Sequence, residues 1–138
     1  MRVVVIDGLS GRMGRLFVER VKAAGLPCTL TAVGSNVLAT SAMLKAGADA
    51  GATGENAVVV ACRTAQIIVG PLGIATADAM MGEITPTMAN AVAASLAYRV
   101  LIPMNLCNTY VAGVASGSAA ILEDAMDHIR QLMNGGIK

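Results

Sequence analysis

Tryptophan is missing from this 138-residue chain, and one Phe with two Tyr is its whole aromatic complement. The interior must therefore be filled by aliphatic side chains and by nine Met. Scarce rings and a formal charge of +1 supply neither the stacking platform nor the basic stripe of a nucleic-acid binder. Charged residues make up only 14% of the chain and His occurs once, so no obvious acid–base pair stands out. The three cysteines, Cys28, Cys62 and Cys107, are odd in number and form no C-x-x-C pair, which argues against a disulfide framework and against a zinc site; no metal is expected. A membrane span is missing too. The longest uncharged window, Val100 to Leu122, is interrupted by Pro103, Asn105, Asn108, Thr109, Gly113 and Gly117. The amino terminus enters a β-branched run at once, without the basic, apolar and small-residue sequence of a secretion signal, so a cytoplasmic location is expected.

What is present is apolar: 55% of the residues. The length fits residues 1–138 as one domain, able to bury about two-thirds of its unfolded surface. Between Thr64 and Leu122 only Asp78, Glu83 and Arg99 carry charge, too few for a fully solvated surface, so part of this segment is expected to be covered in a homo-oligomer.

Strand and helix patterns alternate along the chain. Val3 to Ile6 reads as a strand, and a helix from about Gly11 to Ala24, apolar at Met13, Phe17, Val21 and Ala24, is closed by Gly25. Thr29 to Val33 is a second strand, and Gly34-Ser35-Asn36 leads into a helix reaching about Ala46. Gly47 to Gly54 reads as a loop, followed by a helix from an N-cap at Thr53 to about Thr64. Ile67-Ile68-Val69 has the composition of a buried parallel strand and runs into Gly70-Pro71-Leu72-Gly73. Thr85-Pro86 starts a helix to about Ala97, with a hydroxyl N-cap and Pro in the first turn. Tyr98 to Ile102 and Tyr110 to Val114 are the remaining strands. A terminal helix capped by Ser116 or Ser118 buries Leu122, Met126, Ile129 and Met133. The alternation predicts an α/β, Rossmann-like three-layer fold: a mostly parallel sheet of about five strands with helices on both faces.

Ligands of such sheets lie beyond the carboxyl ends of the strands. Here those ends carry Asp7, Gly8, Ser10, Gly11, Arg12 and Gly14; then Gly34, Ser35 and Asn36; then Gly70, Pro71 and Gly73; then Asn105, Cys107 and Asn108. Glycines let backbone amides approach a pyrophosphate, and the helix start that follows offers unpaired N–H groups, so a nucleotide is the expected ligand. At the end of the second strand, an acidic residue that would bond the adenosine ribose of NAD is replaced by Gly34-Ser35-Asn36. This points to NADP, with Ser35, Asn36 and Arg12 or Arg15 around a 2′-phosphate, and Thr40 and Ser41 as weaker candidates. The same Ser35-Asn36 pair also suits a plain helix cap. Glu83, Asn105, Cys107 and Asn108 are the catalytic candidates, although Glu83 and Glu55 each stand near a helix start and have that simpler role open to them. Asp7 is expected to bond the amides of its own loop. His128, one turn after Asp124, reads as a solvated surface residue.

The run Gly8-Leu9-Ser10-Gly11-Arg12-Met13-Gly14-Arg15 resembles the cofactor loop of dihydrodipicolinate reductases, a resemblance that implies contact of Arg12, Met13 and their neighbours with a nicotinamide dinucleotide. The family's catalytic region and substrate domain have no counterpart here. A longer resemblance, through Val5 to Gly8, Leu38 to Ala48, Gly51 to Ala57, Ile67 to Pro71, Gly82 to Pro86 and Ile102-Pro103 with Asn105, Cys107 and Asn108, is to a family of short bacterial proteins of unknown function found largely in anaerobes. It implies a Rossmann-like fold and no particular activity. The expected function is binding of NAD(P), with hydride transfer as the natural reaction. The alternative is a non-catalytic nucleotide-binding regulatory or accessory subunit. An FMN module suits the length, but Phe17, Tyr98 and Tyr110 are the only rings available to shield a flavin.

Overall fold

The computed structural model describes residues 1–104, 109–114 and 117–135. The run Val3-Val4-Val5-Ile6 forms the middle of strand β1 (Arg2–Asp7) and is buried on both faces, as a β-branched run without polar alternation requires. It pairs in parallel with β2 (Thr29–Gly34) on one side and β4 (Ile67–Pro71) on the other. Strands β3 (Ala50–Thr53) and β5 (Tyr98–Ile102) form the edges, giving an all-parallel five-stranded sheet in the order β3-β2-β1-β4-β5. The chain leaves β1 toward β2 and later returns to β1's other side as β4. The strand order thus reverses between β1 and β4, where doubly wound sheets open a crevice at their carboxyl edge.

Successive β1 side chains feed two cores. Val3 and Val5, with Leu30, Ala32, Ile67 and Val69, pack under helices α1 (Arg12–Ala23), α2 (Val37–Lys45) and α5 (Ser118–Met133), around Phe17, Met43, Met126 and Ile129. Val4 and Ile6, with Val33 and Ile68, pack under α3 (Glu55–Thr64) and α4 (Pro86–Ala94), against Val58, Met88 and Val92. Phe17 is fully enclosed, and the burial of a side chain of this size is worth about 3 kcal/mol relative to exposure.

The local signals hold at most ends. Gly25, at φ 61°, follows α1 and completes a Schellman closure in which Leu26 N–H donates to Val21 O and Gly25 N–H to Lys22 O. Thr85 Oγ1 accepts from Met88 N–H, with Pro86 at the first helical position. The buried stripe of α5 contains Leu122, Met126 and Ile129, with Met133 half-buried beside it.

Six local readings are corrected. Gly47 to Gly54 is not all loop: Ala50–Thr53 pairs with Thr31 to Gly34 as edge strand β3, which the run of small residues Ala50-Gly51-Ala52 conceals. Thr53 ends that strand, so Gly54 is the N-cap of α3. Helix α4 stops at Ala94, three residues early, because the chain turns at Ser95 to enter β5. Ala24 lies past the last buried turn of α1 and is exposed. Tyr110 to Val114 forms no strand; the chain turns at Ala112 and Gly113, and Tyr110 is 87% exposed. Gly117 rather than Ser118 is the N-cap of α5, Ser118 being its first residue; Ser116 lies outside the described residues.

Candidate functional site

The loop between β1 and α1 is shaped by Asp7. Its carboxylate is buried at the end of the strand, with Oδ1 accepting from Gly8 N–H at 2.8 Å and Oδ2 from Gly14 N–H at 2.7 Å. Desolvation raises the Asp7 carboxyl above its ordinary range; the Gly14 and Gly8 bonds pull it back only in part, and the nearby Glu83 charge adds to the rise. Asp7 therefore binds the amides of its own loop, as the sequence suggests.

Each glycine of the loop has an internal reason. A Cβ on Gly8 would stand 2.6 Å from Ser35 Oγ and 2.7 Å from Met80 Sδ; one on Gly11, whose φ is 71°, would meet Ala39 Cα at 2.7 Å; one on Gly14 would meet Met43 Sδ at 2.5 Å. The spacing that reads as a phosphate loop thus also lets α1 and α2 close on each other. Gly11 N–H donates to Gly8 O at 2.9 Å. The exposed N–H groups of Ser10 and Arg12 have no protein acceptor among the described residues. The Arg12 guanidinium likewise has no partner among them, whereas Arg15 is ion-paired with Glu19 at 2.8 Å.

Glu83 is the residue the structure moves furthest from its expected role. It does not serve the start of α4. Its Oε1 accepts from Ser35 Oγ at 2.6 Å, from Asn36 Nδ2 at 2.6 Å and from Leu9 N–H at 3.1 Å, joining the connection after β4 to the ends of β1 and β2. Burial pushes its carboxyl up, but the bonds from Ser35, Asn36 and Leu9 outweigh this and hold it below the ordinary range. Asn36 also donates to Leu9 O at 2.9 Å, and its Oδ1 caps α2 through Ala39 N–H. No acid stands at the end of β2 in sequence, as expected, yet Glu83 brings one there in space.

Glu83 is held in place by the tight turns of residues 76–84. Asp78 N–H donates to Ile84 O at 2.8 Å, Ile84 N–H to Ala79 O at 3.2 Å, and Ile84 is fully buried. Among the described residues, the non-glycine positions at positive φ are Leu9 (50°), Asp78 (63°), Met80 (55°) and Met81 (58°), all in the two segments that Glu83 joins. Left-handed backbone costs a side-chain-bearing residue on the order of 1 kcal/mol, and such strain gathers at functional loops.

The other candidates divide. Gly34 and Gly70-Pro71 lie within strands and are buried; a Cβ on Gly34 would strike Thr40 Oγ1, and one on Gly70 would strike Ile6 O. Their part is close packing of the strand ends behind the loop. Thr40 is buried, accepts from Gly34 N–H at 3.2 Å and lies 2.7 Å from Thr53 Oγ1, so it is a strut, with its hydroxyl turned inward. Met13 is buried in the core, and only its backbone reaches the loop, through a bond to Asp7. Asn105, Cys107 and Asn108 lie outside the described residues. Burial pushes the Cys62 thiol up to about 11, which rules it out as a nucleophile at neutral pH. His128 is a half-buried surface residue, with Nε2 2.9 Å from the Tyr98 hydroxyl in an exposed contact. This pair borders a cavity of about 570 Å³ between β5 and α5, on the opposite edge of the sheet from β3. No three His, Cys, Asp or Glu side chains converge on a common point among the described residues. No helix among them is long and apolar enough to cross a membrane.

No curated protein matches the chain. Among solved structures it is similar to a dodecameric FMN-dependent Ubix-like decarboxylase from Escherichia coli O157:H7, at 16% identity and a TM-score of 0.44, over 97% of this chain and 77% of that one. The family model for a domain of unknown function, DUF3842, matches residues 2–134, and the chain belongs to that family.

Proposed function

We propose that this protein binds a nucleotide, of the nicotinamide dinucleotide type, at the carboxyl ends of β1 and β2. One observation carries the reading: the exposed, unpaired amides of Ser10 and Arg12 lie on the loop that Leu9 ties to a hydrogen-bonding cluster of Ser35, Asn36 and Glu83, beside the point where strand order reverses. The amides and the Arg12 guanidinium suit a pyrophosphate, and the cluster suits a ribose. Asp7, Gly8, Gly11, Gly14, Gly34, Gly70 and Pro71 hold this arrangement from behind. Met13 anchors the helix start. NADP, the finer expectation, needs a cation beside Ser35 and Asn36, and Arg12 is the guanidinium left for it.

Two readings of activity follow. In a reductase the nicotinamide supplies hydride transfer, and Asn105 and Asn108 orient a small substrate. A non-catalytic accessory subunit is favoured by a specific feature: both oxygens of Asp7 and Oε1 of Glu83 accept from protein donors, which leaves only one carboxylate oxygen of the site open to a ligand. In either case the protein assembles as a homo-oligomer, since Met81, Leu96, Tyr98, Met104 and Tyr110, all within its charge-poor segment, are exposed apolar side chains that a partner copy would cover.

Calorimetric titration of the wild type and Arg12→Ala with NADH, NADPH, FMN and ATP tests the binding. Arg12 is exposed and its removal leaves the packing intact, whereas Gly11→Ala would disturb the fold. A dinucleotide is expected to bind, with the affinity lowered about tenfold in the variant through loss of a charge-assisted contact. Absence of binding by all four ligands refutes the reading. A yellow protein as isolated would assign the site to a flavin instead.

A further inference from the structure

The carboxylate at the end of β2 is not supplied by β2. Glu83 reaches it from the far side of the switch point, out of the connection that follows β4, and three donors fix its Oε1 there. None of them takes Oε2. No other donor reaches that atom among the described residues, and no buried side-chain oxygen is left unpaired, so Oε2 faces solvent. The site therefore presents a preorganised acceptor oxygen with a formal negative charge beside Ser35 and Asn36.

We propose that Glu83 replaces the missing acid of β2 as the specificity-determining residue of the site: its Oε2 accepts a ribose hydroxyl of an unphosphorylated dinucleotide and its charge turns away a ribose 2′-phosphate. This rests on the nucleotide reading above. A 2′-phosphate brings an added charge of about −1.5 to −2 at neutral pH. It would meet an ionised carboxylate whose neighbouring donors, Leu9 N–H, Ser35 Oγ and Asn36 Nδ2, are already spent on that carboxylate. The charged groups facing Glu83 do not reverse this: Asp7, behind the loop, is a second acid, Arg15 is held by Glu19, and Arg12 alone remains, on the loop that receives the pyrophosphate. A ribose hydroxyl, by contrast, is a donor and needs only the free oxygen.

The occupied Leu9 amide also fixes the ligand's direction. A phosphate is confined to the Ser10 and Arg12 amides, and the ribose takes the Glu83 side. Leu9, Val37, Leu38 and Met81, each within two residues of a member of the cluster, expose 44, 68, 65 and 95% of their surfaces and supply apolar area for a purine on that side.

The experiment titrates wild type and Glu83→Gln with NADH and with NADPH. The amide keeps an acceptor oxygen for the three donors and removes the charge. The wild type is expected to bind NADH about tenfold or more tightly than NADPH, and the variant to bring the two within about threefold. A wild type that prefers NADPH, or a ratio unchanged in the variant, overturns the assignment of Glu83 while leaving the dinucleotide reading in place. Failure of both ligands on the wild type refutes the dinucleotide reading and this inference with it. If Glu83→Gln does not fold, the wild type alone decides with adenosine 5′-monophosphate against its 2′-phosphorylated form: equal binding refutes the inference, and tenfold rejection of the second supports it.

Discussion

Replacing Glu83 by Ala removes one acceptor from three donors that belong to two other connections, Leu9 after β1 and Ser35 with Asn36 after β2. Hydrogen bonds to a charged acceptor contribute about 1.5–3 kcal/mol each in protected sites. Here Leu9 is exposed and Ser35, Asn36 and Glu83 are half-buried, so water replaces much of what is lost, and about 0.5–1 kcal/mol per bond is the fitting scale. The expected destabilisation is about 2–3 kcal/mol, or a fall in Tm of about 10 °C. Glu83→Gln, which keeps an acceptor but no charge, loses about 1 kcal/mol. The pH dependence has a fixed direction. The hydrogen bonds hold the Glu83 carboxyl below its ordinary 4.5 against the upward pull of burial, so its contribution is complete above that pH and drains away as pH falls through the lowered value. Asp7 runs the other way: burial lifts it above 3.8 in spite of its backbone bonds, so its ionisation costs the fold stability as pH rises through that raised value. The difference in stability between wild type and Glu83→Gln carries the first effect, together with the part of the Asp7 rise that comes from the Glu83 charge. Urea unfolding at neutral pH and at steps below pH 4.5 measures it. A Glu83→Ala midpoint within about 0.5 kcal/mol of the wild type, or a Glu83→Gln deficit that does not shrink on acidification, refutes this account of the cluster.

Gly11→Ala is expected to cost about 2–4 kcal/mol, because left-handed backbone and a contact at 2.7 Å from Ala39 Cα act together, whereas Gly25→Ala, at φ 61° with open space around it, costs only about 1 kcal/mol; chemical denaturation of both variants separates strain from crowding. Thr40→Val strips the hydroxyl from Gly34 N–H and Thr53, and a loss of about 1–3 kcal/mol with faster amide exchange in β3 is expected by hydrogen-exchange spectroscopy. Phe17→Ala should lose about 3–5 kcal/mol from the core, while Tyr98→Phe, which gives up one exposed bond to His128, changes the unfolding midpoint by less than about 1 kcal/mol.

The sequence is legible where one element carries its own explanation. The run Val3 to Ile6 can only be a buried strand, Thr85-Pro86 states a helix start by its chemistry, and Leu122, Met126 and Ile129 recur at helical spacing. Strand β3 is hidden for a physical reason: Ala50-Gly51-Ala52-Thr53 is exposed along its length and owes its form to pairing with β2, with Asp49 Oδ2 accepting from Leu30 N–H at 2.8 Å just before it. Glu83 is hidden for another. Its partner Leu9 is 74 residues away, and two residues before Thr85-Pro86 a glutamate already has an adequate local reason to exist, so nothing in the sequence asks for a distant one. The clue that was available lies in Ser35 and Asn36, a pair of donors at a strand end with no acid beside them. Such a pair, where the fold takes it out of water, requires an acceptor from elsewhere in the chain or from a ligand.

That requirement changes what the glycine loop can be used to prove. Gly8 gives way to Ser35 and Met80, Gly11 to Ala39 and Gly14 to Met43, so every glycine of the motif is demanded by the packing of this chain on itself. Substituting them unfolds or distorts the loop whether or not a phosphate ever visits it, and a loss of binding in such variants carries no information about contact. The groups that distinguish a ligand site from a tight turn are those the fold does not use: the amides of Ser10 and Arg12, the Arg12 guanidinium and the free oxygen of Glu83. An unused donor or acceptor at the surface costs the folded chain little, since water satisfies it, so its presence is weak evidence by itself. Their gathering at one strand edge, around a carboxylate carried there on left-handed backbone at Asp78, Met80 and Met81, is a different matter. Strain of that kind persists only where the surrounding structure imposes it, and here it accompanies the turn that carries Glu83 to Ser35 and Asn36. Binding measurements on Arg12→Ala and on Glu83→Gln are therefore the decisive ones, because the first removes a side chain that makes no contact with the loop glycines and the second keeps an acceptor for Leu9, Ser35 and Asn36.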